Sequence, residues 1–163
     1  MRKLITIITA AALALMNAPK SPAQTFFGLE AGKYYSPEEV EAAVGTKAET
    51  ITINGSTRDW RHGYDAVFKG GLLIRAFSGG EFYAFEVNGK KYRLFDDALE
   101  GGIGVGDDIS RVFSLREGYP KALVYGPGNE QAYRIFTKQA DSYTVQYNSK
   151  NGKITAIRWV IAR

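Results

Sequence analysis

His62 is the only histidine in the chain, and the residues around it, Asp59-Trp60-Arg61-His62-Gly63-Tyr64-Asp65, form the one segment that resembles a reactive cluster. An aspartate-oriented imidazole can act as general base for a nucleophilic hydroxyl. No Gly-x-Ser-x-Gly elbow accompanies it, however. A lone histidine in a charged, aromatic loop more often serves at the surface or in packing. A histidine-based metal site needs a second imidazole, and there is none.

Carboxylates cluster around a glycine-rich stretch: Asp96-Asp97, Glu100 and Asp107-Asp108 flank Gly101-Gly102-Ile103-Gly104-Val105-Gly106. The spacing is not that of an EF-hand loop. Both aspartate pairs are explained as turn and helix-cap residues. The glycines invite a phosphate-loop reading, but no Lys-Ser/Thr follows them and no parallel βαβ unit contains them. A flexible joint between two structural units is the expectation there. Glycoside hydrolysis needs two carboxylates paired in space, and nothing in the sequence singles out such a pair. No cofactor is expected.

Aromatic residues are the stronger signal. They make up 13% of the chain, with ten tyrosines. Every buried tyrosine hydroxyl wants a partner, so this many in a small domain points outward as well as inward. Tyr, Trp and Arg are enriched at interface hot spots. The Asn54 to Gly63 loop, with Arg58, Asp59, Trp60 and Arg61, is accordingly the candidate partner-binding element. The competing reading is a Trp60 folded back onto the sheet.

The N-terminus predicts export. Arg2 and Lys3 supply a positive start, Leu4 to Met16 is an almost unbroken apolar run, and Ser21 and Ala23 are small residues at signal-peptidase spacing. Residues 1–23 read as a signal peptide cleaved after Ala23, since the apolar run is shorter than the ~20 residues that span a bilayer. Removing Arg2, Lys3 and Lys20 from 21 Lys+Arg leaves 18 against 17 Asp+Glu, a net +1 instead of +4. Nucleic acid and anionic lipid need clustered basic excess, so both are set aside, and no membrane insertion is expected after signal removal. With no cysteine, disulfides, thiolate metal sites and a lipidated anchor are excluded. The fold must be held by its core.

The elements that would position these residues read as one α+β domain over 24–163. Ser36-Pro37-Glu38-Glu39-Val40 is a capping box opening a helix whose apolar face is Val40, Ala43 and Val44, stopped by Gly45. Strands are expected at Thr50 to Ile53, Tyr64 to Phe68 and Leu72 to Phe77. Glu81 to Val87 and Lys91 to Phe95 read as a hairpin around Asn88-Gly89. Asp107-Asp108 opens a second helix with Ile109, Val112 and Phe113 on its apolar face, ended by Gly118 to Pro120. Strands follow at Ala122 to Tyr125, Ala132 to Thr137, Ser142 to Asn148 and Lys153 to Ile161, the last pair around Asn151-Gly152. Ser142 to Asn148 alternates apolar and polar, as in a sheet with one packed and one wet face. Lys91, Arg93 and Arg134 are expected on that wet face.

Ser36 and Asp107 are 71 residues apart, Tyr64 and Tyr133 are 69 apart, and the two Asn-Gly-Lys tripeptides at 88 and 151 are 63 apart. The spacing fits a degenerate tandem repeat with units 33–100 and 101–163. The helix openings at Ser36-Pro37-Glu38-Glu39-Val40 and Gly106-Asp107-Asp108-Ile109, and the closing Tyr147-Asn148…Asn151-Gly152-Lys153-Ile154, are similar to those of the β-lactamase inhibitor protein family and the small outer-membrane assembly lipoproteins. That resemblance implies short helical segments on an antiparallel meandering sheet and a tendency to bind proteins. It assigns no site residue. The chain departs from the lipoproteins in lacking a lipidated cysteine and from the inhibitors in lacking disulfides.

Together these readings point to an exported, non-enzymatic protein-binding domain of periplasm or exterior, an inhibitor, immunity or envelope accessory protein whose partner is another envelope or secreted protein. The alternative class is a small envelope hydrolase or carbohydrate-active protein using spatially paired carboxylates.

Overall fold

A computed structural model describes residues 25–94, 100–115, 120–136 and 143–161. The signal-peptide reading, Asp96-Asp97 and Gly118 fall outside the described residues. Alternating β-rich runs build most of the structure. Four strands, β3 (Thr50–Ile53), β4 (Tyr64–Phe68), β5 (Leu72–Ala76) and β6 (Phe82–Val87), form one antiparallel meander. A second contains β9 (Lys121–Tyr125), β10 (Glu130–Phe136), β11 (Tyr143–Lys150) and β12 (Lys153–Ile161). The last strands of the two meanders pair antiparallel, giving one eight-stranded sheet in the order β3-β4-β5-β6-β12-β11-β10-β9.

Because side chains alternate across a strand, the register divides the sheet into an inner and an outer face. One inner row runs Phe68, Leu72, Val87, Ile157, Tyr147, Tyr133 and Leu123 from β4 to β9. Its first five residues are almost wholly buried, Tyr133 is half-buried, and Leu123 is 38% exposed. The core therefore thins toward β9. Its centre is Trp159, ringed by Phe26, Phe82 and Phe85 at centroid distances of 4.8, 5.1 and 5.7 Å.

A layer of short segments covers the inner face. It comprises the β1 (Thr25–Phe26) and β2 (Leu29–Glu30) hairpin, helix α1 (Pro37–Val44), and the two-stranded pair β7 (Arg93–Leu94) and β8 (Ile103–Gly104). In α1 both hydrogen bonds of the capping box form, Pro37 takes the first turn, and Gly45 ends the helix in the left-handed conformation. Val40 is buried in the core, with Ala43 and Val44 half-buried beside it.

The second expected helix is a 3-10 turn over Ile109–Val112, so the described residues hold one α-helix rather than two. Asp108 caps it as anticipated, accepting from the Ser110 N–H at 3.0 Å. Ile109 and Val112 are buried, but Phe113 is 48% exposed and lies outside the turn. A single short turn gives only one apolar repeat, and Asp107, which would start an α-helix, faces two arginines instead.

The two Asn-Gly pairs differ. Asn151 and Gly152 both have positive φ (52° and 76°) and join β11 to β12 in a tight hairpin. Asn88-Gly89 makes no hairpin: neither residue has positive φ, and β7 leaves the sheet to pair with β8. The Asn88 N–H donates to the Gly71 carbonyl (2.8 Å), and a β-carbon at Gly89 would run into the Gly70 carbonyl oxygen. That glycine permits two turns to cross backbone to backbone.

The glycine-rich stretch is likewise no loose joint. Gly102, Ile103 and Gly104 are buried, and Arg93 holds the Gly101 and Gly102 carbonyls at 2.6 and 3.1 Å.

Candidate functional site

The Asn54 to Gly63 loop closes in a 3-10 turn, Trp60–His62. Asp59 caps it: its Oδ1 accepts from the Arg61 backbone N–H at 3.0 Å and from Arg61 Nη1 at 3.3 Å. The first of these bonds, with the cationic Arg61, holds the Asp59 carboxyl below the usual range. The Arg61 guanidinium lies 4.9 Å from the Trp60 ring centroid, in cation–π range. Trp60 is half-buried, set edge-on to Tyr64 at 6.4 Å, and a β-carbon at Gly80 would come within 2.8 Å of its ring. The indole thus folds back, as the competing reading had it, and leaves one side to Arg61. Arg58 is exposed. Sequence proximity therefore gathers Asp59, Trp60 and Arg61 into one self-contacting knuckle, with Arg58 beside it.

His62 is exposed and takes part through its backbone N–H, which donates to the Asp59 carbonyl at 3.1 Å. Asp65 faces Arg75 at 3.8 Å on the sheet. The Tyr64 hydroxyl donates to the Tyr35 carbonyl at 2.8 Å, and burial, with the Glu39 and Glu38 charges behind it, pushes its pKa well up.

Among the described residues Asp107 is the most heavily engaged carboxylate. Its Oδ2 accepts from Arg93 (2.7 Å), Arg111 (2.6 Å) and the Gly104 N–H (3.1 Å). Burial opposes its ionisation, but the Arg93 and Gly104 bonds and the two cations prevail and lower its pKa. Asp107 in this way pins the β7–β8 pair to the 3-10 turn, with three of its bonds on Oδ2 and one long contact from Arg93 Nη1 to Oδ1 at 3.5 Å. Among the described residues no three His, Cys, Asp or Glu side chains group as a metal site.

The outer sheet face carries a site the motif search missed. One cross-strand row reads Leu73, Glu86, Arg158, Gln146 and Arg134. Arg158 Nε donates to Glu86 (2.7 Å), Arg134 Nε donates to Gln146 Oε1 (2.7 Å), and Gln146 Nε2 donates to Asn148 (2.6 Å). Glu86, Arg134, Gln146 and Arg158, with Arg75, Tyr83 and Val160, line an open groove of ≈ 560 Å³. Arg134 was expected on a wet face and is there. Arg93 is not, having turned to Asp107, and Lys91 lies outside any strand. The row was visible only as polar alternation along separate strands, because pairing order brings Glu86 and Arg158 together from 72 residues apart.

No family model, curated protein or solved structure matches the chain.

Arginines splinted by amide and carboxylate neighbours lose less rotamer entropy on docking a partner. The knuckle and the groove lie on either side of the 77–83 connection: the Ser78–Gly80 turn packs on the Trp60 turn, and Tyr83, stacked on Phe77 at 3.5 Å, lines the groove. Among the described residues no helix is long and apolar enough to cross a membrane.

Proposed function

We propose that this chain is an exported, non-enzymatic protein-binding domain of the periplasm or exterior, acting as an inhibitor, an immunity factor or an envelope accessory protein. The observation that carries this reading is the outer face of the sheet, where an open groove holds Arg75, Arg134 and Arg158, with Arg134 hydrogen-bonded to Gln146 and Arg158 to Glu86. A protein interface of standard size buries ~1,600 Å² in total, and an eight-stranded face supplies one side of that. The Trp60 knuckle, with Arg58, Asp59 and Arg61, is in this reading a second contact element, across the 77–83 connection from the groove. Two units, 33–100 and 101–163, descend in this reading from one repeated helix-plus-meander. The mirrored strand order about the β6–β12 seam supports it.

The test is affinity capture of the protein's partner from envelope and culture supernatant, with R134Q, R158Q, W60A and R61A variants in parallel. A one-to-one partner whose retention falls at least about tenfold with R134Q or R158Q is the expected result. A partner retained equally by all four variants would remove this surface from consideration. Turnover of a glycoside or ester by the purified protein would replace the reading with the hydrolase alternative.

A further inference from the structure

The β9 edge of the sheet carries a second interaction surface, of a different kind. Two hydrogen bonds bracket the β9–β10 ladder: Gly126 N–H to the Glu130 carbonyl and Phe136 N–H to the Pro120 carbonyl, both 2.9 Å. In an antiparallel pair alternate residues exchange both bonds with their partner. The even-numbered residues of β9 therefore face β10, and the peptide groups of Lys121, Leu123 and Tyr125 point away from the sheet. Among the described residues no strand pairs with that side. Leu123, Val124 and Tyr125 are 38%, 44% and 71% exposed, and Phe113, 48% exposed, packs on Tyr133 beside them. Sheets usually guard an edge with proline, a bulge or several charges. This strand has an unbroken register, no proline and one lysine.

We propose that β9 pairs with β9 of a second copy of this chain, antiparallel about a two-fold axis at Leu123. The occupant follows from self-complementarity. With the axis at Leu123 all three outward residues of each copy overlap: Leu123 meets its own copy, Lys121 meets Tyr125 of the partner subunit, and the outward N–H and C=O groups of both strands are satisfied together. Lys121, whose Nζ donates to the Phe113 carbonyl at 3.0 Å, stands opposite the partner's Tyr125 ring, a cation–π pair made twice by symmetry. The exposed parts of Phe113, Leu123, Val124 and Tyr125 amount to about 400 Å² per copy, roughly 800 Å² in all, short of the ~1,200–2,000 Å² of a stable complex. The dimer is consequently weak, with a Kd of roughly 10–100 μM. It leaves the outer groove open and aligns two of them on one continuous sheet.

Sedimentation equilibrium of the full chain from about 1 to 300 μM tests this. The wild-type mass is expected to rise from one chain toward two. L123P deletes an N–H that the β9–β10 ladder does not use, and Y125A truncates a side chain that is mostly in solvent. L123P is expected to stay monomeric throughout, and Y125A to weaken association about tenfold, each with wild-type circular dichroism. L123K, an edge charge, checks any L123P variant that melts early and is also expected to be monomeric. A wild-type protein that is monomeric at every concentration overturns the proposal and leaves the edge to a strand from another protein. Association unchanged in Y125A and L123K overturns it too.

Discussion

The two Asn-Gly-Lys tripeptides, at 88 and 151, are identical in sequence and opposite in use. Asn151-Gly152 turns a chain back on itself with room at the glycine: nothing lies within 4 Å of a β-carbon at Gly152, and the turn's neighbours reach it through hydrogen bonds, Asn129 to Asn151 and the Ile109 N–H to the Gly152 carbonyl. Asn88-Gly89 ends β6 against another turn, and its glycine is there for closeness. The difference extends to the halves of the molecule that contain them. In the first, α1, the β1–β2 hairpin and the crossed glycine turns seal the inner face down to Phe68 and Leu72. In the second, one 3-10 turn replaces the helix, and the inner face opens to solvent at Leu123 and Tyr125. A turn motif states where a chain can bend. What lies against it decides whether it does.

The largest test of this contrast is Trp159→Ala, at the seam both halves share. Loss of a buried tryptophan costs about 4 kcal/mol, a large part of the ~5–15 kcal/mol stability of such a domain. Denaturant unfolding is expected to remain one transition; two separate transitions would show halves that fold independently. Next is Gly89→Ala, which drives a β-carbon into the Gly70 carbonyl and is expected to cost about 3 kcal/mol in chemical melts. A smaller cost, equal to that of Gly152→Ala, would erase the distinction between the two tripeptides.

Asp107→Asn addresses a tie between the halves, since Arg93 belongs to the first and Arg111 to the second. It removes the anion shared by Arg93 and Arg111, at about 2 kcal/mol. Because the folded pKa of Asp107 is depressed, its contribution is present above the unfolded value of ~3.9 and is lost as pH falls through the folded value. Wild type is therefore expected to lose stability on acidification below about pH 4 in a step that the asparagine variant lacks. Gly152→Ala is the smallest, about 1 kcal/mol of left-handed backbone strain with no clash.

Much of the fold was legible because local rules and tertiary demands agree there. The capping box at Ser36 is satisfied within one turn of chain. β3 and β4 begin and end where β-branched and aromatic runs do. The site was legible only in its local part. Asp59, Trp60 and Arg61 contact one another because they are neighbours in sequence, whereas the outer groove draws on five strands. The tyrosines divide the same way: Tyr64 and Tyr147 are buried core, while Tyr34 and Tyr125 are exposed, and composition alone does not separate them.

By itself the sequence determined what is local and chemical: a domain without cross-links, one imidazole with no second to join it, a capped helix, and strands with a wet and a dry side. Tertiary structure decided what depends on distant segments meeting. It placed Gly89 against Gly70, turned Arg93 from the wet face to Asp107, set Glu86 beside Arg158, and, among the described residues, left the outward side of β9 without a paired strand. The reason is the range of the forces involved: caps and alternation act over a few residues, whereas strand order is settled by burying all the apolar faces at once.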